Sequence, residues 1–517
     1  MNDNLYVALR RAFPEDLDGT AIETADGPGA PRFYTWRDLD RASARIAHLL
    51  ESLDLPPQSR VAVQTEKSVE SLMLYLGVLR AGHVYLPLNT AYQATEIEYF
   101  IGNAEPAVVV CSPRNFAWIS QLAFKAGTQN VFTLGESIDG SLLERAARHS
   151  DVHEPAQRQS DDLAAIIYTS GTTGRSKGAM LTHGNLLSNA QTLKQYWAWR
   201  PAADGGDVLI HALPIFHVHG LFVACHGALL NGSKMIWFAK FDPGAVIARL
   251  PEATVFMGVP TLYTRMLAEP ALSREACASM RLFISGSAPL LKETHAEWTA
   301  RTGHVILERY GMSETVMITS NPYDARDGGR VGGTVGFALP GIQVRICDDK
   351  GQPVRAGDIG GIEVKGPNVF KGYWRMPEKT AEEFTTDLFF KTGDVGRMDD
   401  SGRLTIVGRS KDLIISGGYN VYPAEIEGYI NDLPGVAESA VVGVPHADFG
   451  EAVVAVLVPK PGTRLDATSI AAQLKGRIAS FKVPKEVFVV DELPRNAMGK
   501  VQKNLLREQH RRLFDAL

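Results

Sequence analysis

Tyr168-Thr-Ser-Gly-Thr-Thr-Gly-Arg-Ser-Lys-Gly178 gathers hydroxyls, glycines and a lysine between two segments of regular structure. The preceding Asp162-Leu-Ala-Ala-Ile-Ile-Tyr168 reads as a short buried strand, and the following Thr182-His-Gly-Asn-Leu-Leu as a capped helix entry. The stretch is therefore expected where a strand gives way to a helix. Gly171 and Gly174 let the backbone approach a ligand closely, the hydroxyls of Thr169, Ser170, Thr172 and Thr173 add donors, and Lys177 adds charge. Such a loop can wrap the phosphates of a nucleotide. The spacing Gly171-x-x-Gly174-x-x-Lys177-Gly178 lacks the Gly-Lys-Ser/Thr ending of a Walker A loop, which disfavours a P-loop ATPase. Taken alone, the stretch fits a flexible Ser/Thr/Gly linker equally well.

On either side of it the chain alternates helical patterns with short β-rich runs. Arg60-Val-Ala-Val-Gln and Ala107-Val-Val-Val-Cys111 belong to one such series and Leu209 to Thr319 to a second, the βα rhythm of mainly parallel sheets. Between Val331 and Ile406 short strands divided by Gly and Pro predict an antiparallel β-rich subdomain. A boundary is placed within Arg409-Ser-Lys411-Asp412, between 410 and 411. Beyond it, a helix (Pro423 to Asn431), two strands (Ser439 to Val444 and Ala452 to Val458) and a helix (Ala467 to Ile478) suffice for a small α+β unit. The fold class is thus α/β, with a large N-terminal domain (1–410) of two parallel-type α/β subdomains plus a β-rich subdomain. A small mobile α+β C-terminal domain (411–517) follows.

At 517 residues and 45% hydrophobic content the chain is too large for one core. A net charge of -5 and a pI near 6.3 provide no global attraction to nucleic acid or anionic lipid, so small-molecule substrates are expected and an anionic ligand must be drawn by local cations. Cys111, Cys225, Cys277 and Cys347 lie far apart without zinc-type spacing and read as reduced structural thiols. The N-terminus lacks a signal-peptide pattern, and the longest apolar run, Ser71 to Leu79, is closed by Arg80. The expectation is a cytoplasmic protein without membrane partners, monomeric or weakly homo-oligomeric.

Five further segments carry chemistry. Tyr310-Gly311-Met312-Ser313-Glu314-Thr315 sets a carboxylate among hydroxyls on a turn, suited to Mg2+ or simply to solvent. Ser285-Gly-Ser287-Ala288-Pro289-Leu290 follows a strand and offers a narrow backbone edge to a flat purine, or is a plain strand-to-helix turn. Thr392-Gly-Asp394 can present a carboxylate to ribose hydroxyls. Ser416-Gly417-Gly418 follows the boundary segment. Pro494-Arg-Asn-Ala-Met-Gly499-Lys500 puts a lysine after a glycine, with a basic tail as the plainer reading.

In this order, the hydroxyl-rich loop, Tyr310 to Thr315, Thr392 to Asp394, Arg409 to Asp412 and Pro494 to Lys500 resemble the acyl-adenylate-forming superfamily of acyl-CoA synthetases, luciferases and nonribosomal adenylation domains, over nearly the whole chain. The resemblance implies two steps: a carboxylate attacks the α-phosphorus of MgATP, expelling pyrophosphate, and a thiol then takes the acyl group. It implies that Lys500 bridges carboxylate and α-phosphate, that Lys177 and the loop hold pyrophosphate, and that Glu314, with Thr169, anchors Mg2+. Asp394 and Arg409 would take the ribose. Glu308 to Thr315 and Ser287 to Pro289 would complete the ATP site. Lys411 matches the hinge about which the small domain turns, bringing Ser416, Gly417 and Gly418 to line a pantetheine tunnel. His217 matches the gate between acyl pocket and tunnel, although a core histidine fits as well. With no carrier domain after Leu517, free CoA is the expected acceptor.

The acid is read from Arg309, which stands where the superfamily usually has glycine at the floor of the acyl pocket. An arginine fills that channel and offers a fixed cation to a second carboxylate. Arg265, on the flanking segment Gly258 to Arg265, either adds a second cation or forms a surface ion pair. Glu308-Arg-Tyr-Gly-Met-Ser-Glu314, Thr319 to Asp324 and Pro494 to Lys503 resemble malonyl-CoA synthetases, which points to malonate, with methylmalonate accepted less well. The alternatives are a short-chain or aryl monocarboxylic acid, or a nucleotide-binding relative without catalysis.

Overall fold

The computed structural model describes residues 2–25, 30–169, 176–201, 205–417, 419–475, 477–496 and 499–514. They form two compact units. The first takes in Met1–Leu290, Thr294–Gln343 and Val364–Phe390, and the second Leu291–Glu293, Val344–Glu363 and Lys391–Leu517. The 410/411 boundary expected from sequence falls inside the second unit. A hinge and a limit of compactness need not coincide.

Two mixed sheets organise the first unit. In one, Asn130–Thr133, Val108–Cys111, Arg60–Gln64, Val84–Pro87 and Leu163–Thr169 run parallel in that spatial order. Val108–Cys111 and Val84–Pro87 are buried at every position, as strands covered on both faces require. The other sheet has a parallel centre, Thr20–Thr24, Lys234–Trp237, Val208–His211, Val255–Gly258, Leu282–Ser285 and Leu307–Tyr310, with antiparallel strands added at its edges. Helices start on side-chain caps. Ser68 and Ser71 close a capping box at the fully buried helix Val69–Arg80, and Thr35 and Asp38 do the same for Trp36–Glu51.

One local expectation is corrected. The hydroxyl-rich stretch does not pass from strand to helix: Lys177–Thr182 returns as a strand antiparallel to Leu163–Thr169, pairing Thr169 with Lys177, and only then does the helix His183–Tyr196 begin, capped by Thr182. The strand is short and its apolar residues are followed at once by the cap, so its text merges with the helix entry.

In the second unit Phe390–Met398 and Leu404–Arg409 are antiparallel neighbours in a four-stranded sheet. Val436–His446 and Gly450–Pro459 form a long hairpin that extends both strands beyond the span read from sequence, because one register holds from Glu438 to His446, with a shift only between Val436 and Glu438. The helix Pro423–Asn431 has the expected limits, whereas Ala467–Leu474 stops short of Ile478. All four cysteines are buried and free. Among the described residues no helix is long and apolar enough to cross a membrane.

Candidate active site

Thr169 and Lys177 face each other at the mouth of the hairpin, while Ser170, Gly171, Thr172, Thr173 and Gly174 lie outside the described residues. The turn after Leu307–Tyr310 comes to meet this mouth. A β-carbon on Gly311 would stand 1.9 Å from the Val316 carbonyl oxygen, so only glycine permits the bend that buries Glu314 (5% exposed) and Thr315 and leaves Met312 and Ser313 half-buried. Glu314 Oε1 accepts a hydrogen bond from the Tyr373 hydroxyl at 3.0 Å and another from Thr169 Oγ1 at 3.4 Å. Lys177 Nζ lies 4.2 Å from the centre of the Tyr373 ring and 3.3 Å from Glu383 Oε1. The two motifs that sequence reading singled out therefore meet. A buried carboxylate flanked by hydroxyls is a hard-oxygen donor set, which fits Mg2+ better than a softer ion.

Tyr373 was not among the expected residues. Its sequence signal, the glycine-led aromatic pair Gly372-Tyr373-Trp374, says nothing about a partner 59 positions away. Burial and then the Glu314 carboxylate push its phenol well above the ordinary value, so it stays protonated and donates to Glu314. Tyr373→Phe keeps the ring packed 4.8 Å from Phe370 but removes a donor to a charged acceptor. A hydrogen bond to a charged group contributes about 1.5–3 kcal/mol, so kcat/KM for ATP is expected to fall by roughly 10- to 150-fold. An unchanged kcat/KM across a Mg2+ titration would remove Tyr373 from the site.

Strand alternation sends Glu308 and Arg309 to opposite faces of Leu307–Tyr310. Glu308 Oε1 accepts the Leu290 N–H at 3.2 Å, and burial raises its carboxyl to about 8; it anchors the end of the turn that carries Ser287, Ala288 and Pro289. Arg309 is 2% exposed, and among the described residues its Nε and Nη2 have no hydrogen-bond partner. Its guanidinium lies beneath Gly286, where a β-carbon would come within 2.5 Å of it. Burial drives the group down to about 9, still a cation at neutral pH. A buried cation with unfilled donors costs several kcal/mol unless an anion joins it.

Two histidines stand on the same side. His219 is buried, with Nδ1 3.3 Å from Ser287 Oγ, and burial followed by the nearby Arg309 charge pushes it well below the usual imidazole range. It opens a π-helical turn, His219–Cys225, a geometry frequent at functional sites. The half-buried His217 accepts the His219 N–H on Nδ1 at 3.2 Å. Ser287 holds φ at 70°, a strained backbone for a residue with a β-carbon.

Arg265 lies elsewhere. It is exposed, packs over the Phe241 ring at 5.1 Å, and helps to line a cavity of about 310 Å³ with Thr65, Lys67, Phe216 and Phe241. The cavity sits beyond the C-terminal ends of Arg60–Gln64 and Val208–His211, where parallel sheets place ligands. Arg309 is not part of its wall.

In the second unit Asp394 and Arg409 are cross-strand partners, 3.2 Å apart at Oδ1 and Nε, and the Thr392 hydroxyl accepts the Asp394 N–H. Lys411 has an exposed side chain, yet partial desolvation lowers its ammonium. Ser416 is buried and Gly417, at φ +59°, donates its N–H to the Phe449 carbonyl; Gly418 lies outside the described residues. The backbone of Lys500 is pinned by its N–H to Asn496 Oδ1 (3.0 Å) and by its carbonyl from the Asn496 N–H (2.9 Å).

The sequence pattern of the AMP-binding enzyme family matches residues 11–374, and that of the AMP-binding enzyme C-terminal domain matches residues 425–500. A malonate–CoA ligase from Arabidopsis thaliana is 34% identical over 98% of this chain and 89% of its own length. A feruloyl-CoA synthase from an Amycolatopsis species is 35% identical over 92% of this chain and 94% of its own. Among solved structures, ATP-bound MatB from Rhodopseudomonas palustris superposes with a TM-score of 0.95 at 55% identity, covering 99% of this chain and 100% of that one.

Proposed function

The chain belongs to the AMP-binding enzyme family, and from that premise we propose that it joins malonate to coenzyme A in an ATP-dependent, AMP-forming reaction. In the first half, a malonate carboxylate oxygen bonds to the α-phosphorus of ATP and the bond to pyrophosphate breaks. In the second, the deprotonated CoA sulfur attacks the acyl carbon and AMP leaves.

The observation that carries the choice of acid is Arg309, a buried cation whose Nε and Nη2 lack a partner among the described residues. A dicarboxylate can give one carboxylate to Arg309 and keep the other for the α-phosphorus. A monocarboxylate leaves the guanidinium unfilled. At about 4 Å a charge pair contributes up to ~4 kcal/mol at an effective dielectric of ~20, before desolvation. One methyl group changes binding by only ~1 kcal/mol, so methylmalonate is tolerated where acetate is not.

The remaining assignments follow the same reading. Lys177 and the hydroxyl-rich loop receive pyrophosphate, Lys500 spans carboxylate and α-phosphate, and Asp394 with Arg409 holds the ribose. Glu314 and Thr169 would hold Mg2+, which when bound neutralises phosphate charge. Thr315, whose buried Oγ1 has no partner, and the turn around Ala288 are assigned to ATP. His217 gates the acyl pocket, Ser416 to Gly418 line the pantetheine path, and Lys411 is the hinge. Arg265, which lines a cavity whose wall does not include Arg309, is given no part in holding the acid. The reaction is assigned to the cytoplasm.

The likeness to a feruloyl-CoA synthase favours an aryl acid as the second reading. Steady-state pyrophosphate release with malonate, methylmalonate, succinate, acetate and ferulate decides between them. Malonate is expected to have the highest kcat/KM, methylmalonate the next; ferulate or acetate equal to malonate would overturn the assignment.

A further inference from the structure

Away from the nucleotide and acid residues, three side chains converge at the C-terminal end of the helix Trp36–Glu51. His48 and Glu51 lie one turn apart on the helix, with His48 Nδ1 3.5 Å from Glu51 Oε2. His153, from the segment after the helix Ser141–Ala146, brings Nε2 to 2.9 Å from Glu51 Oε1. The ligand atoms of the three residues lie within 4.8 Å of one another.

The donors are arranged as a metal requires. His48 Nε2 is 2.8 Å from the Val152 carbonyl, so the ring donates its Nε2 proton there and turns the Nδ1 lone pair toward Glu51. The His153 side chain is 2% exposed, yet neither ring nitrogen has an aligned hydrogen-bond partner, although Nε2 stands so near Glu51. Nδ1 is thus a buried polar atom without a partner among the described residues, while Nε2 is held against the Glu51 carboxylate. Its backbone is fixed: Arg80 donates Nε and Nη2 to the His153 carbonyl. Arg80 is itself balanced by Asp40 at 2.9 Å, which blunts its repulsion of a cation. Arg45, the next cation along the helix, is 3.5 Å from Asp151. The last turn of a helix also presents the negative end of its dipole.

We propose that His48, Glu51 and His153 form a site for one divalent transition-metal ion of the zinc type, which ties the helix end to the segment bearing His153. Two imidazoles and a carboxylate suit zinc, cobalt, nickel or copper, and do not suit Mg2+. Bonds of about 2.0–2.1 Å in a tetrahedral site set ligand atoms roughly 3.3 Å apart, so the observed spacings need only small side-chain shifts. Glu51 is 51% exposed, which leaves a route in and a fourth position for water. The ion clips chain segments 104 residues apart and is separate from the Mg2+ of the ligase reaction.

The full chain, stripped with a chelator and titrated with Zn2+ against a chromophoric competitor in millimolar Mg2+, tests this. One equivalent is expected to bind with a dissociation constant of about 1 µM or tighter. Glu51→Gln, a change at an exposed position, should weaken it by about 10- to 100-fold, and His153→Ala should abolish it. Co2+ provides a second probe, with tetrahedral visible bands in the wild type that vanish in His48→Ala. Ligase activity in Mg2+ should be unchanged in all three variants, showing that they are folded. Zn2+ bound equally well by His153→Ala and Glu51→Gln, or wild-type binding weaker than about 100 µM, would overturn the proposal.

Discussion

Arg309→Met is expected to cut kcat/KM for malonate steeply while raising the thermal midpoint of the ligand-free protein. Truncating one partner of a buried, hydrogen-bonded charge pair costs about 2–5 kcal/mol, or roughly 30- to 4,000-fold at 1.4 kcal/mol per decade. Butyrate, with no second carboxylate, should lose far less, so the malonate-to-butyrate ratio collapses. Stability moves the other way because the wild type holds Arg309 buried, with Nε and Nη2 unfilled by the described residues. Replacing buried ionic groups by apolar ones of similar size is often stabilising by about 1–4 kcal/mol. Thermal melts and a two-acid kinetic comparison read both effects. A malonate-to-butyrate ratio unchanged in the variant would remove Arg309 from the acid pocket, and a lowered melting point would mean that its charge is satisfied by the fold. Arg265→Ala should change the same ratio much less, since that guanidinium is exposed and already stacked on Phe241.

Lys500→Ala is expected to abolish adenylation, by about a thousandfold or more, because it removes a cation aimed at charge that develops in the transition state. The loop should survive, since the contacts that fix Lys500 to Asn496 are made by the Lys500 backbone. Thioester formation from supplied malonyl-AMP and CoA should persist, because that step has no incoming carboxylate to bring to the α-phosphorus. ATP–pyrophosphate exchange measures the first half and CoA-dependent AMP release from the adenylate the second. Equal losses in both halves would contradict a lysine that serves only adenylation.

Local patterns in the chain were sufficient for much of this. The continuous apolar runs at Arg60–Gln64 and Val108–Cys111 announced buried parallel strands, because strands covered on both faces have no polar side to show. Thr182 announced the start of a helix, because its cap bond reaches only to Asn185. The bend at Gly311 was marked by a residue without a β-carbon at the one place where a β-carbon collides. What local text misjudged was Lys177–Thr182, where pairing with Leu163–Thr169, an interaction between segments, makes a strand of residues that read as the approach to a helix.

The sequence by itself determined which chemistry the chain carries, since a carboxylate, a lysine or a glycine has its reactivity and conformational range wherever it stands, and the order of motifs declared the family. Only the tertiary structure decided which groups meet. It set the Tyr373 hydroxyl on Glu314, left Arg309 buried and unfilled beneath Gly286 while Arg265 faces a separate cavity, and drew His153 to a helix end about a hundred residues upstream. Proximity, desolvation and the loss of hydrogen-bond partners are properties of packing, and packing joins positions that no spacing along the chain connects.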